Sequence, residues 1–155
     1  MKKPNPDHIE KLCSIINKSP YPSFLSIKMA DIGIGYSVTE VEIEQKHTQL
    51  RGIVHGGLFA SLIDIATFWA VYYEIEDPYA WLTSVDLKLN YLASESSGKL
   101  IAKGRRIRVG KSLCYADAEI RNEAGRLLTH GSSTLKILRD SELAKSIGFP
   151  AKFID

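Results

Sequence analysis

HGGLFASLIDIATFWAVYYEI, residues 55–75, is the stretch on which the fold turns. From Leu58 to Ile75 it is the longest apolar segment in the chain, rich in alanine, leucine and aromatic residues. That length and composition read as a helix hydrophobic almost all round, and such a helix belongs at the centre of a domain. Two glycines open it and Asp77-Pro78 ends it. Downstream, four long segments read as strands: Trp81–Tyr91, Lys99–Val109, Leu113–Arg121 and Leu127–Leu138. The separators Ser94–Gly98, Gly110-Lys111 and Asn122–Gly125 carry turn chemistry. Upstream, a polar loop spans Gln45–Val54, and Tyr36–Ile43 alternates apolar with polar as a half-buried strand does. Phe24, Leu25, Ile27 and Met29 suggest a further short strand, followed by a turn over Asp31–Gly35. Ile9, Leu12, Cys13, Ile15 and Ile16 predict a short helix begun by Pro6-Asp7, with Tyr21-Pro22 breaking the chain after it. One helix can cover one face of a curled sheet, so the expected class is α+β, an antiparallel sheet wrapped around one long central helix.

The 155 residues, 45% hydrophobic and 25% charged, are the size of one domain with a self-sufficient core. Within it, residues 1–20 read as an N-terminal helical segment and 140–155 as a short helical turn and tail. A formal charge of +2 excludes a domain whose affinity rests on neutralising nucleic-acid phosphates. Cys13 and Cys114 each sit in apolar surroundings, as small buried hydrophobes in a reducing compartment do. MKKPNPDHIEKL has no apolar stretch behind its lysines, and no run reaches the ~18 apolar residues of a membrane span. The expectation is a cytoplasmic domain without membrane or nucleic-acid partners.

Asp64 is the odd residue of the apolar helix. A carboxylate buried there would have its ionised form disfavoured, as suits a general base near neutral pH, although a structural carboxylate fits the same place. Gly57, Ser61, Asp64 and Thr67 recur at helical spacing along one face. At the helix start, free N–H groups and the positive end of the dipole attract negative charge, and a glycine lets a carbonyl oxygen come close. Gly56-Gly57 is therefore an oxyanion hole in prospect, or simply a flexible beginning to a helix. Gly57 and Asp64 are seven residues apart, about 10 Å along the axis, too far to act on one carbonyl carbon from the same helix. If both act, Asp64 comes from a second copy, and a twofold dimer makes two such sites.

His55-Gly56-Gly57 followed by six residues and Asp64 resembles the HGG-x6-D signature of the hotdog-fold acyl-CoA thioesterases, in particular the phenylacetate-pathway and thioesterase-superfamily-member branch. The resemblance runs from about Phe24 to Leu138 and takes in Thr83–Tyr91 and Val109–Ser112. It implies a hotdog sheet around one helix, homodimers and often homotetramers, and hydrolysis of acyl-CoA to a carboxylic acid and CoA without a cofactor. By the same resemblance Gly57 N–H meets the thioester carbonyl and Asp64 serves as general base or nucleophile. Ser84 helps to place the water, and His55 braces the loop or the carbonyl. Gln49 stands where that branch often has asparagine and extends the amide by a methylene. Ser84 also fits a strand hydroxyl bonded to the backbone, and His55 a structural histidine at the helix start. No histidine pair has metal-ligand spacing, and there is no GxSxG elbow.

Lys99, Lys103, Arg105, Arg106, Arg108 and Lys111 fall in thirteen residues without an acid. They read as a landing site for CoA phosphates or as a strand protected from aggregation by charge. Simple alternation puts Arg106 and Arg108 on one face and Lys103 and Arg105 on the other. Arg108 and Lys111, beside the Gly110 turn, are the favoured phosphate contacts, with Gly56 completing the substrate-binding set. Two other functions remain open: a non-catalytic acyl-CoA-binding protein, and a thioester hydratase or dehydratase. The hydratase is disfavoured because the helix carries an aspartate and no histidine.

Overall fold

The computed structural model describes residues 2–155. In chain order it contains β1 (Lys3–Pro4), α1 (Pro6–Lys18), α2 (Pro20–Phe24), β2 (Lys28–Gly33), β3 (Tyr36–Glu42), α3 (Gly56–Ala70), β4 (Trp81–Tyr91), β5 (Lys99–Val109), β6 (Leu113–Asn122), β7 (Leu127–Leu138), α4 (Glu142–Ile147) and β8 (Phe153–Ile154). Six strands form one antiparallel sheet in the order β2-β3-β5-β6-β7-β4, and α3 lies across its inner face. Leu58, Leu62, Ile63 and Ala66 of α3 pack on Val41, Leu100, Ala118 and Leu128 of the strands, all buried. The fold is α+β, a sheet around a central helix.

The helix sits close because the strands beneath it are lined with small residues. A Cβ on Gly104 would lie 2.2 Å from the Ala66 carbonyl oxygen, and one on Gly131 would lie 2.8 Å from Ile63 Cγ2. Ser37 Oγ donates to that same Ala66 carbonyl at 2.7 Å, tying the sheet to the helix backbone. At the other end of α3, Leu12 and Ile16 of α1 cover Met29, Ile32, Tyr72 and Tyr73 in a separate cluster.

Several expectations shift. Tyr21-Pro22 does not break the chain but lies within α2, which reaches Phe24, so the following strand starts only at Lys28. The turn after it is correspondingly short, Ile34-Gly35, with Gly35 at φ +80°. The long helix stops at Ala70, and a 3-10 turn over Tyr72–Glu74 carries the apolar run on. Branched and aromatic side chains at Val71-Tyr72-Tyr73 lose rotamer freedom in a helix, which favours the tighter turn. Counted through that turn, Gly56–Glu74 is 19 residues of mean hydropathy 1.2, long and apolar enough by composition to cross a membrane, contrary to the sequence reading. Most of that stretch is buried inside the protein's own sheet.

The tail is more ordered than its sequence suggests. β8 pairs with β1, Asn5 Nδ2 donates to Ala151 O at 2.8 Å, and buried Lys152 donates to Ile75 O at 2.7 Å. The β4 strand forms one edge of the large sheet. Its eleven residues pair only with β7, and Val85, Leu87 and Tyr91 are left exposed.

Candidate active site

The site is built on the first turns of α3. His55 has extended backbone angles (φ −67°, ψ 136°) and caps the helix: its Nδ1 accepts from Gly57 N–H at 2.8 Å, and its carbonyl accepts from Leu58 N–H at 3.0 Å. The cap needs glycine at 57, because a Cβ there would stand 2.9 Å from His55 Nδ1. Gly56 makes room for the edge strand: a Cβ would come 3.2 Å from the Tyr91 ring, whose hydroxyl donates to Gly56 O at 3.3 Å. The Gly56 N–H finds no acceptor among the described residues and stays free at the positive end of the helix.

One turn on, Ser61 Oγ donates to Gly57 O at 2.9 Å and in turn accepts from Tyr21 Oη at 2.6 Å. A further turn places Asp64 half-exposed on the same stripe, and Ser84 Oγ of β4 donates to its Oδ1 at 2.7 Å. Ser84 thus bonds to a carboxylate, not to a backbone group. The stripe ends there, because Thr67 turns inward. It is fully buried and donates to Ile63 O at 2.8 Å, so it takes no part in the exposed face.

Gln49 lies in the turn before the helix, where its Oε1 accepts from Arg51 N–H at 2.6 Å. With Ile53, Gly56, Phe59 and Tyr91 it lines a groove of about 420 Å³ beside the helix start. The single chain thus gathers His55, Gly56, Gly57 and Gln49 at the head of α3, with Asp64 and Ser84 two turns further on.

It does not gather Arg108 and Lys111 with them. Arg106 Nε bonds Glu74 Oε1 at 2.8 Å just past the C-terminal end of α3, and Arg108 and Lys111 follow on that side. Nor do the faces of β5 follow simple alternation. A bulge between Arg106 and Arg108 skips Ile107, so Arg106 opposes buried Ala116 whereas Arg108 opposes exposed Tyr115. The bulge moves Arg108 to the outer face that carries Arg105. Arg105 grips Asp117 there with Nε at 3.1 Å and a second nitrogen at 2.8 Å, which holds that carboxyl below its usual range. Of the six basic residues, Arg105, Arg106 and Lys99, the last to Glu40 at 3.6 Å, are therefore engaged in ion pairs.

Tyr21, Ser61 and Tyr91 bond at the head of the helix as well. Tyr21 is 40 residues from its partner and Tyr91 is 35, so no local pattern announces either contact.

The thioesterase superfamily profile matches residues 51–129, from the loop before His55 into β7. The chain belongs to the thioesterase superfamily. Among curated proteins it is similar to human acyl-coenzyme A thioesterase 13, 29% identical over 111 residues, which covers 70% of this chain and 77% of that protein. It is also similar to the 1,4-dihydroxy-2-naphthoyl-CoA hydrolase of Listeria monocytogenes, 26% identical over 113 residues, 73% of this chain and 91% of that one. Among solved structures, a thioesterase from Haemophilus influenzae superposes with a TM-score of 0.76 at 21% identity, covering 90% of this chain and 96% of that one. The likeness in structure establishes the hotdog fold of this thioesterase-superfamily chain. The superfamily match spans Gly57, Asp64 and Ser84, while Tyr21 lies outside it.

Proposed function

We propose that the protein is an acyl-CoA thioesterase that acts as a homodimer, with each active site formed from both subunits. The observation that carries this reading is the Asp64 carboxylate, accessible on the stripe that begins at Gly57 and held at 2.7 Å by Ser84 Oγ. The helical rise keeps Asp64 about 10 Å from Gly57 of its own chain. The outer edge of β4, which pairs with no further strand and leaves Val85, Leu87 and Tyr91 exposed, is the natural contact for a second copy. Two copies related by a twofold axis along that edge bring the partner subunit's Asp64 to the head of α3.

In this reading the thioester carbonyl oxygen docks at the Gly57 N–H. The cap bond from Gly57 N–H to His55 Nδ1 occupies that donor in the free protein, so the exposed His55 ring swings aside as substrate enters. The neighbouring Gly56 N–H adds a second donor. The partner subunit's Asp64 takes a proton from water, whose oxygen attacks the carbonyl carbon. Negative charge collects on the oxygen at the helix head, where fixed N–H dipoles stabilise it. Collapse of the tetrahedral intermediate breaks the C–S bond, and the CoA thiolate recovers the proton from Asp64. Ser84 fixes the orientation of that carboxylate and of the water, and Gln49 borders the entrance. Arg108 and Lys111, remote from Gly57 in one protomer, meet CoA phosphates only if a second copy presents them.

Release of free thiol from a panel of acyl-CoAs tests the reading. Asp64→Asn keeps the shape and the Ser84 hydrogen bond but cannot accept the proton, and it is expected to lower kcat at least ~100-fold. A variant with an unchanged rate removes Asp64 from the mechanism. A wild type that binds acyl-CoA without releasing thiol makes the protein a binder and not an enzyme.

A further inference from the structure

We propose that α2 supplies the wall against which the apolar part of the acyl group lies, with Tyr21 and Phe24 as the residues that select long acyl chains over acetyl. The inference rests on the thioesterase reading above and names its substrate class. α2 has no buried residue, an unusual property for a helix that carries two aromatic side chains. Tyr21 is 58% exposed and Phe24 is 72% exposed. Three residues apart, they share one helical face. That face is anchored at the site. Ser61 donates its proton to Gly57 O, so the Tyr21 hydroxyl must be the donor to Ser61 Oγ. The chain Tyr21 to Ser61 to Gly57 C=O fixes the ring on the very stripe that runs from Gly57 to Asp64.

The anchoring extends to the segment behind α2. His47 Nδ1 accepts from Glu44 N–H, so its Nε2 carries the proton and donates to Leu25 O at 2.7 Å. Lys46 Nζ donates to Ser26 Oγ at 2.7 Å. The loop that leads into His55 is therefore tied to the residues that follow Phe24. On the opposite flank of the helix head, Tyr91 stands with its hydroxyl on Gly56 O. A thioester whose carbonyl reaches the first N–H groups of α3 lies between these two walls. Its acyl substituent then meets the Tyr21 ring and, further out, Phe24. An acetyl group is too short to reach the second ring, whereas a longer chain removes both from water.

The test compares kcat/KM for dodecanoyl-CoA with that for acetyl-CoA in the wild type, Tyr21→Ala and Phe24→Ala. Each variant is expected to lower the dodecanoyl-to-acetyl ratio about tenfold, chiefly through KM for the long chain. Tyr21→Phe, which keeps the ring and loses its anchor, should fall between wild type and Tyr21→Ala. Ratios that stay within twofold of wild type in both alanine variants overturn the proposal and leave the thioesterase reading standing. A wild type that hydrolyses neither ester overturns the catalytic reading alone. Calorimetric binding of a non-hydrolysable dodecyl-CoA thioether then decides the wall: tenfold weaker binding by Tyr21→Ala supports it, and equal binding sinks it.

Discussion

His8 illustrates how a single side chain can set a property far from the site. It is buried, its Nδ1 lies 2.7 Å from Tyr73 Oη, and the ring stacks on Phe149 at 4.6 Å between centroids. Tyr72 flanks it, and Lys152, itself buried with Nζ 3.9 Å above the Tyr72 ring, is the charged group facing it. Burial, with a smaller contribution from the Lys152 charge, pushes the imidazole down from 6.5 to about 4. The neutral ring is the form the fold accepts. As pH falls below 6.5 the unfolded chain gains a proton that the folded one refuses until about 4, so stability present above 6.5 is lost across that window. The loss amounts to something on the order of 3 kcal/mol. Urea unfolding at pH 7.5, 5.5 and 4.5 measures it. His8→Gln should start less stable and show a shallower decline, and a slope equal to that of wild type would remove His8 as its source.

At the scale of elements, the seat of α3 on the sheet is the contact with least slack. Gly104→Ala would place a methyl 2.2 Å from a backbone oxygen of α3, and neither partner is a flexible side chain end. The helix must lift or the strand must bow, at a cost on the order of 3 kcal/mol and roughly 10 °C in Tm. Gly125→Ala is the contrast: its Cβ meets nothing within 4 Å, and only its φ of +82° opposes the change, by about 1 kcal/mol. Thermal melts that rank the two the other way would show that the helix is more loosely seated. The elements themselves were largely legible. The four long strands and the central helix announced themselves because each is long, strongly patterned and bounded by Gly, Asp or Pro. Three features were not legible, each for its own reason. The α2 turn was hidden because Tyr21-Pro22 and Pro20 read as breakers, yet proline is well placed at the first position of a helix. The β5 bulge was invisible because one inserted residue leaves the composition of a strand unchanged while reversing its faces. The pairing of β1 with β8 joins two-residue segments at opposite ends of the chain, too short for any periodicity. Of the candidate site, Gly56, Gly57, Asp64 and His55 stood out as polar or small residues against an apolar run, whereas Tyr21 reaches the head of α3 only through the tertiary fold.

For the whole molecule, the question is whether one chain can hold a complete site, and helix geometry makes that a matter of counting. Consider Gly57→Val, which crowds the His55 cap and blocks the helix head, alongside Asp64→Asn, which removes the proton acceptor. In the proposed shared-site homodimer, each parent variant is disabled at both sites. If the two chains are mixed, unfolded in urea and refolded together, random pairing makes half the dimers hybrids. In each hybrid, Gly57 of the Asp64→Asn chain faces Asp64 of the Gly57→Val chain, so one of its two sites is intact. Thiol release should therefore return to about a quarter of the wild-type rate at equal total protein, scaling with the hybrid fraction. Val85→Lys on the exposed edge of β4 should weaken pairing and lower activity in a way that rising protein concentration restores, because a charge there is tolerated alone but opposed across a twofold axis by its own copy. If mixing restores nothing while each parent still sediments as a dimer, Gly57 and Asp64 do not meet across the subunit boundary. The roles given to the helix head and to the carboxylate would then have to be separated.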